Sequence, residues 1–127
     1  MTDQDEIRNL ISRYFHHLDD RDFDAWGQLM ADGVSITING EARWPPDVQI
    51  VEQRGKHISV NQIIDVEGDT ASAVFDYFYI AEIGPPRYER LVVLSFGRYT
   101  DRFVRTDGRW LLASVAMEVI YADRLRD

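Results

Sequence analysis

Asp19 stands four residues after Phe15 and eight after Ile11, on the continuation of an apolar stripe that also carries Tyr14. A lone carboxylate is costly to desolvate, so an acid at such a place either caps a helix end in water or holds a partner inside the fold. His57 is the one histidine in the strand-rich part of the chain. It shares a strand face with Ser59, Asn61 and Ile63, while Ile58, Val60, Ile64 and Val66 take the other. A polar stripe of that kind lines a cavity or faces solvent. If Asp19 meets His57, the carboxylate fixes the imidazole tautomer and makes the second ring nitrogen a better base. Such a base removes a proton beside a carbonyl, and Tyr14, on the same inward face as Asp19, can donate to the enolate or leaving oxygen.

Asp101 shares a strand face with Gly97, Tyr99 and Phe103. It reads as a protonated hydrogen-bond donor or as a structural acid, with pairing to an arginine across the sheet the favoured arrangement. Trp26, Trp44 and Trp110 read as core or cavity wall, because large aromatics dominate burial. With Asn61, Tyr77, Tyr79 and Tyr99, the residues Trp26, Trp44 and Asp101 form the expected pocket lining. His16 and His17 fall beside the helix stripe and read as surface residues; the three histidines have no metal-ligand spacing. The chain has no phosphate loop, no dinucleotide fingerprint and no Gly-x-Ser-x-Gly elbow, so the chemistry expected uses no cofactor.

The elements that must position these residues follow from periodicity. Ile7, Leu10, Ile11, Tyr14, Phe15 and Leu18 keep helical spacing, which predicts a helix over 4–19, with Thr2 and Asp5 as a capping box. A second helix is predicted over 22–30, ended by Asp32-Gly33. From Val34 the period becomes 2, and Asn39-Gly40 supplies a turn. Strands are predicted over 57–66, 71–82, 89–105 and 109–121, separated by short turns that force antiparallel pairing. The expected fold is α+β, one domain over residues 1–127, with the helices first and a meander-like, mainly antiparallel sheet after them. Several strands are apolar on both faces: Phe75, Tyr77 and Tyr79 point one way, and Val74, Phe78 and Ile80 the other. The uncovered face predicts a homodimer packed through the sheet.

With 127 residues, 45% hydrophobic and 28% charged, the chain is long enough to bury a core without staples. It has no cysteine, which removes disulfides, thiolate metal sites and cysteine nucleophiles together. A net charge of −8 repels nucleic acid and anionic lipid. The acidic N-terminus does not read as a signal peptide, and no apolar run approaches the roughly 20 residues of a membrane span, so a cytoplasmic protein is expected.

The run from Arg13 to Trp26, the segments Lys56–Asn61 and Gly68–Ala71, and Gly97–Phe103 followed by Asp107-Gly108-Arg109-Trp110 resemble the SnoaL-like branch of the nuclear transport factor 2-like superfamily. The resemblance covers nearly the whole chain. It implies a cone-shaped, cystatin-like roll, with the N-terminal helices packed in the concave face of a curved, mainly antiparallel sheet around an internal pocket, often dimeric. It also implies roles: scytalone and bile acid dehydratases of this superfamily use an Asp and a His at positions matching Asp19 and His57, and the latter a Tyr matching Tyr14. Tyr14 with Asp101 resembles the oxyanion pair of ketosteroid isomerases, but the isomerase base would fall near Ile38, which cannot accept a proton. The dehydratases' further His or Asp has no counterpart in Phe78-Tyr79-Ile80, and residues 40–56, with Pro45-Pro46, are short for the third helix usual in the family.

Three functions are consistent with this reading. The first is a cofactor-independent dehydratase, isomerase or cyclase acting on a hydrophobic polyketide- or steroid-like molecule. The second is a non-catalytic pocket for such a ligand, and the third an assembly module resembling dioxygenase small subunits.

Overall fold

A computed structural model describes residues 1–43, 54–83 and 90–123. Two helices come first, α1 (Asp3–Asp19) and α2 (Phe23–Gly27), followed by β1 (Met30–Ile38), β2 (Glu41–Ala42), β3 (Arg54–Glu67), β4 (Thr70–Ile83), β5 (Arg90–Thr106) and β6 (Arg109–Ala122). The α+β expectation holds, with the strands in one six-stranded sheet of order β2-β1-β6-β5-β4-β3. Helix α1 starts at the expected capping box: the Asp5 backbone N–H donates to Thr2 Oγ1 at 3.1 Å and the Thr2 N–H to Asp5 Oδ2 at 3.0 Å. The second helix is shorter than its apolar spacing predicts, because Met30 already enters β1 and pairs with Leu112.

Helix α1 buries Ile7, Leu10, Ile11, Tyr14 and Phe15 against the inner sheet face, where Phe75, Tyr77, Tyr99, Phe103, Leu112 and Val115 complete the core with Trp26. The sheet curves around them because bulges interrupt β1, β3, β5 and β6, and each extra residue bends its strand and increases its twist.

Two features depart from the sequence reading. β1 runs parallel to β6, joining the first strand to the last, whereas all other pairs are antiparallel. Within β3, a bulge between Val60 and Ile63 reverses the alternation of faces. Asn61 adopts a positive φ of 56° there, a conformation asparagine tolerates better than most residues. Ile64 and Val66 consequently pack toward the core on the side of His57, while Ile63 is 65% exposed.

Candidate active site

The end of α1 reaches the start of β3. Continuing the stripe past Leu18 turns Asp19 inward, and its carboxylate grips His57 twice. Asp19 Oδ1 lies 2.6 Å from His57 Nδ1, and the His57 backbone N–H donates to both carboxylate oxygens at 3.1 and 3.2 Å. The Asp19 side chain is only 5% exposed, so these bonds offset the desolvation of its charge. Facing a carboxylate, Nδ1 carries the proton, which leaves Nε2 as the basic nitrogen. The imidazole is held between Phe15, stacked at 5.2 Å, and Tyr79, its cross-strand neighbour, at 4.6 Å. Tyr79 in turn lies over Gly55, where any Cβ would fall 2.6 Å from the phenol ring.

His57, Asp19 and Tyr14 all line one cavity of about 270 Å³, close to the lower end of the range usual for small-molecule sites. Its apolar wall comes from β1 and β6, where Ile36 pairs with Val115 and Ile38 with Met117. Tyr77 and Tyr79 line it from β4 and Tyr99 from β5. Ser95 adds a polar point by bonding Tyr77 at 2.7 Å between hydroxyls. Burial pushes the Tyr77 phenol up, and Ser95 only partly opposes this.

Tyr14 is a buried part of the cavity lining, in ring contact with Trp26 at 5.7 Å and Tyr99 at 6.2 Å. Burial and then the neighbouring Asp101 push its phenol well above the ordinary value, although the Tyr99 hydroxyl and Trp26 indole favour the ionised form. Tyr99 is raised in the same way, by burial first and then by Tyr14 and Asp101. Both phenols therefore keep their protons.

Three expected lining residues stand elsewhere. Asn61 is exposed and donates to Asp76 Oδ2 at 3.3 Å, because the β3 bulge turns it away from the His57 face. Trp26 and Asp101 lie one layer behind the cavity, backing Tyr14. Trp44 lies outside the described residues. The expected arginine partner of Asp101 is also corrected: its cross-strand neighbours are Ala73 and Val115, and neither carries a charge. Asp101 is 3% exposed, its Oδ1 accepts no hydrogen bond, and burial pushes its carboxyl well up toward the neutral acid. The arginine–acid pair of these strands forms instead between Arg98 and Asp76, at 2.8 Å.

The sequence reading also passed over Arg21, Arg43, Ser95, Val115 and Met117, all on the cavity wall. The alternation of Val34, Ile36 and Ile38 signalled one inner face of β1, but its pairing with β6 is non-local. Among the described residues, no three His, Asp or Glu side chains are gathered as a metal site would need, and no helix is long and apolar enough to cross a membrane.

Residues 1–116 match the SnoaL-like domain family. No curated protein matches the chain. Among solved structures, an NTF2-like protein with a cystatin-like fold from Novosphingobium aromaticivorans superposes with a TM-score of 0.81 at 21% identity, covering 96% of this chain and 84% of its own. A protein provisionally named a dehydratase of the NTF2-like family, from Streptomyces avermitilis, gives 0.72 at 18% identity, over 94% of this chain and 97% of its own. The beta subunit of benzoate 1,2-dioxygenase from Burkholderia mallei gives 0.73 at 15% identity, over 94% and 91%. At these identities the likeness shows the fold alone.

Proposed function

The chain belongs to the SnoaL-like domain family, and on that premise we propose that its cavity is a cofactor-independent acid–base site, a dehydratase, isomerase or cyclase for a hydrophobic polyketide- or steroid-like molecule. The observation that carries the reading is the 2.6 Å contact between Asp19 and His57 at the wall of an apolar cavity. His57 Nε2 takes a proton from a carbon beside a carbonyl, forming imidazolium that Asp19 stabilises through Nδ1–H. Tyr14 donates to the oxygen that becomes the enolate. In a dehydration, the imidazolium then returns its proton to the departing hydroxide as water. In an isomerisation or aldol closure, the proton returns to carbon or to the new alkoxide. A positioned base supplies roughly 10²–10⁴-fold in rate, and an oxyanion donor about 10²–10³-fold. Ile38 lines the cavity where the ketosteroid isomerase base would stand, which favours His57 as the base.

The test is proton exchange at carbon. Beta-tetralone, an aromatic bicyclic ketone with an acidic α-hydrogen, is incubated with protein in D2O and followed by NMR. The wild-type chain is expected to accelerate α-deuteration over buffer, and His57→Gln to lose that acceleration. Equal rates for the two proteins overturn the reading.

We further propose that two copies pair through the outer sheet face. Ile58, Phe78, Phe96 and Tyr121 lie in one cross-strand row over β3–β6, with Phe96 stacked on Tyr121 at 5.4 Å and Phe78 at 6.0 Å from Phe96. Ile63, Leu91 and Ile120 extend the apolar exposure, and patches of this kind usually mark interfaces.

A further inference from the structure

The cavity holds a second polar point that proton transfer at His57 does not use. We propose that the hydroxyl pair of Tyr77 and Ser95 anchors a remote oxygen of the ligand, so that the molecule taken is a fused-ring ketone with a hydroxyl or second carbonyl at its far end. The inference rests on reading the cavity as the acid–base site and adds what holds the unreacting end of the molecule.

Both side chains line the cavity, and the 2.7 Å bond between their hydroxyls uses one of the two protons they carry. Whichever hydroxyl donates, one O–H is left over, and among the described residues neither has another hydrogen-bond partner. Tyr77 is 1% exposed and the wall across from it is Ile36, Val115 and Met117, so the spare donor finds an acceptor only in what the cavity holds. A polar group so placed is costly until something accepts from it.

The pair is held in position by its strands. Gly97 stands directly across from Tyr77, and a Cβ there would fall 3.0 Å from Tyr77 Cε1, so the bare backbone lets the ring lean over β5 toward Ser95. Tyr99 packs edge-on against the same ring at 5.2 Å. Tyr79 pairs with Ser95 and Ile80 with Val93, which leaves Leu94 as the extra residue of a bulge beside Ser95, and bulges re-aim neighbouring side chains.

Register sets the distance between base and anchor. His57 faces Tyr79 and Tyr79 faces Ser95 in one cross-strand row, so the two stand two strand spacings apart, roughly 10 Å. A fused-ring molecule with an oxygen at each end spans that gap, whereas a small acyclic ketone reaches one end only.

Beta-tetralone and 6-hydroxy-2-tetralone, which adds a phenol on the ring opposite the ketone, separate the two ends of the site in NMR titrations. The hydroxylated ketone is expected to bind the wild-type chain about tenfold tighter, the order of one net hydrogen bond. Tyr77→Phe combined with Ser95→Ala removes both hydroxyls and keeps the ring, and should bring that preference below about twofold while changing beta-tetralone affinity by less than about twofold. The ratio is the readout, because a pair with a purely structural role would weaken both ketones alike. Equal affinities in the wild-type chain, or a preference that survives the double substitution, overturn the anchor without touching the acid–base reading. His57→Gln should keep the preference while losing α-deuteration; a preference lost with His57 assigns the phenol to the imidazole and overturns the anchor. Binding of neither ketone by the wild-type chain overturns the cavity as the ligand site, and the anchor with it.

Discussion

Asp19 holds His57 by backbone and ring at once, with the carboxylate 2.6 Å from Nδ1 and 3.1–3.2 Å from the amide nitrogen of the same residue. A side chain anchored at two points of one neighbour sets both the position and the rotation of the imidazole. The grip joins the last residue of α1 to β3, so helix and sheet must dock before the base is oriented.

Asp19→Asn should therefore cost activity more than stability. The amide retains one accepting oxygen for the His57 N–H but no longer favours the Nδ1–H tautomer or stabilises imidazolium. Deuterium exchange into beta-tetralone should fall by about 10²-fold or more, while the urea midpoint should reflect a loss of about 1–3 kcal/mol. Retained exchange in a folded Asp19→Asn protein would remove the orienting role.

Tyr14→Phe keeps the ring packing on Trp26 and Tyr99 and deletes the donor. The expected loss is about 10²-fold in kcat for exchange with KM little changed, because the bond strengthens as charge develops on the enolate. Steady-state NMR rates at several ketone concentrations separate the two constants.

Asp101 predicts an unusual pH dependence. Its carboxyl is raised well above 3.8 by burial, so the folded chain keeps a proton that the unfolded chain releases. Its contribution to stability is complete below pH about 4 and is lost as pH rises toward the folded value, at up to about 1.4 kcal/mol per pH unit in that window. Asp101→Asn has no such proton, so the stability difference between variant and wild type, from urea melts, should move in the variant's favour with rising pH. Parallel curves would contradict a buried neutral acid.

Gly97 allows β5 and β6 to close against Tyr77. A Cβ there would overlap the Glu118 carbonyl and lie 3.0 Å from Tyr77 Cε1. Gly97→Ala should cost about 1–3 kcal/mol, read from urea unfolding, as backbone and ring give way. An unchanged midpoint would show that the strands separate freely.

Phe78 stands in the middle of the outer aromatic row. Phe78→Lys should convert a dimer in sedimentation equilibrium into a monomer with an unaltered far-UV spectrum, since charge is depleted at interface cores. A wild-type monomer would dismiss the interface.

Local periodicity made much of this legible. The six apolar positions of α1 determined which way Tyr14 and Asp19 face, because helical geometry is set by the chain's own hydrogen bonds. The turns at 68 and at 107–108 marked the strand ends closely, and Phe75, Tyr77 and Tyr79 faced as alternation requires. The family pattern then brought Asp19, His57 and Tyr14 together as candidates.

What alternation could not supply was anything that depends on a neighbouring strand. The bulge in β3 exists in the pairing with β4, and it alone turned Asn61 outward and Ile64 and Val66 inward. Asp101 lacks an arginine because register places Ala73 and Val115 beside it, a fact held by three strands and by none of them separately. The cavity wall of Ile36, Ile38, Val115 and Met117 required the first strand to meet the last. By itself the sequence determined the first helix, the long strands β4 to β6, the inward faces of α1 and β4 and the residue types able to do chemistry. The tertiary structure decided which of those residues meet, because register, bulges and burial are properties of strands packed together.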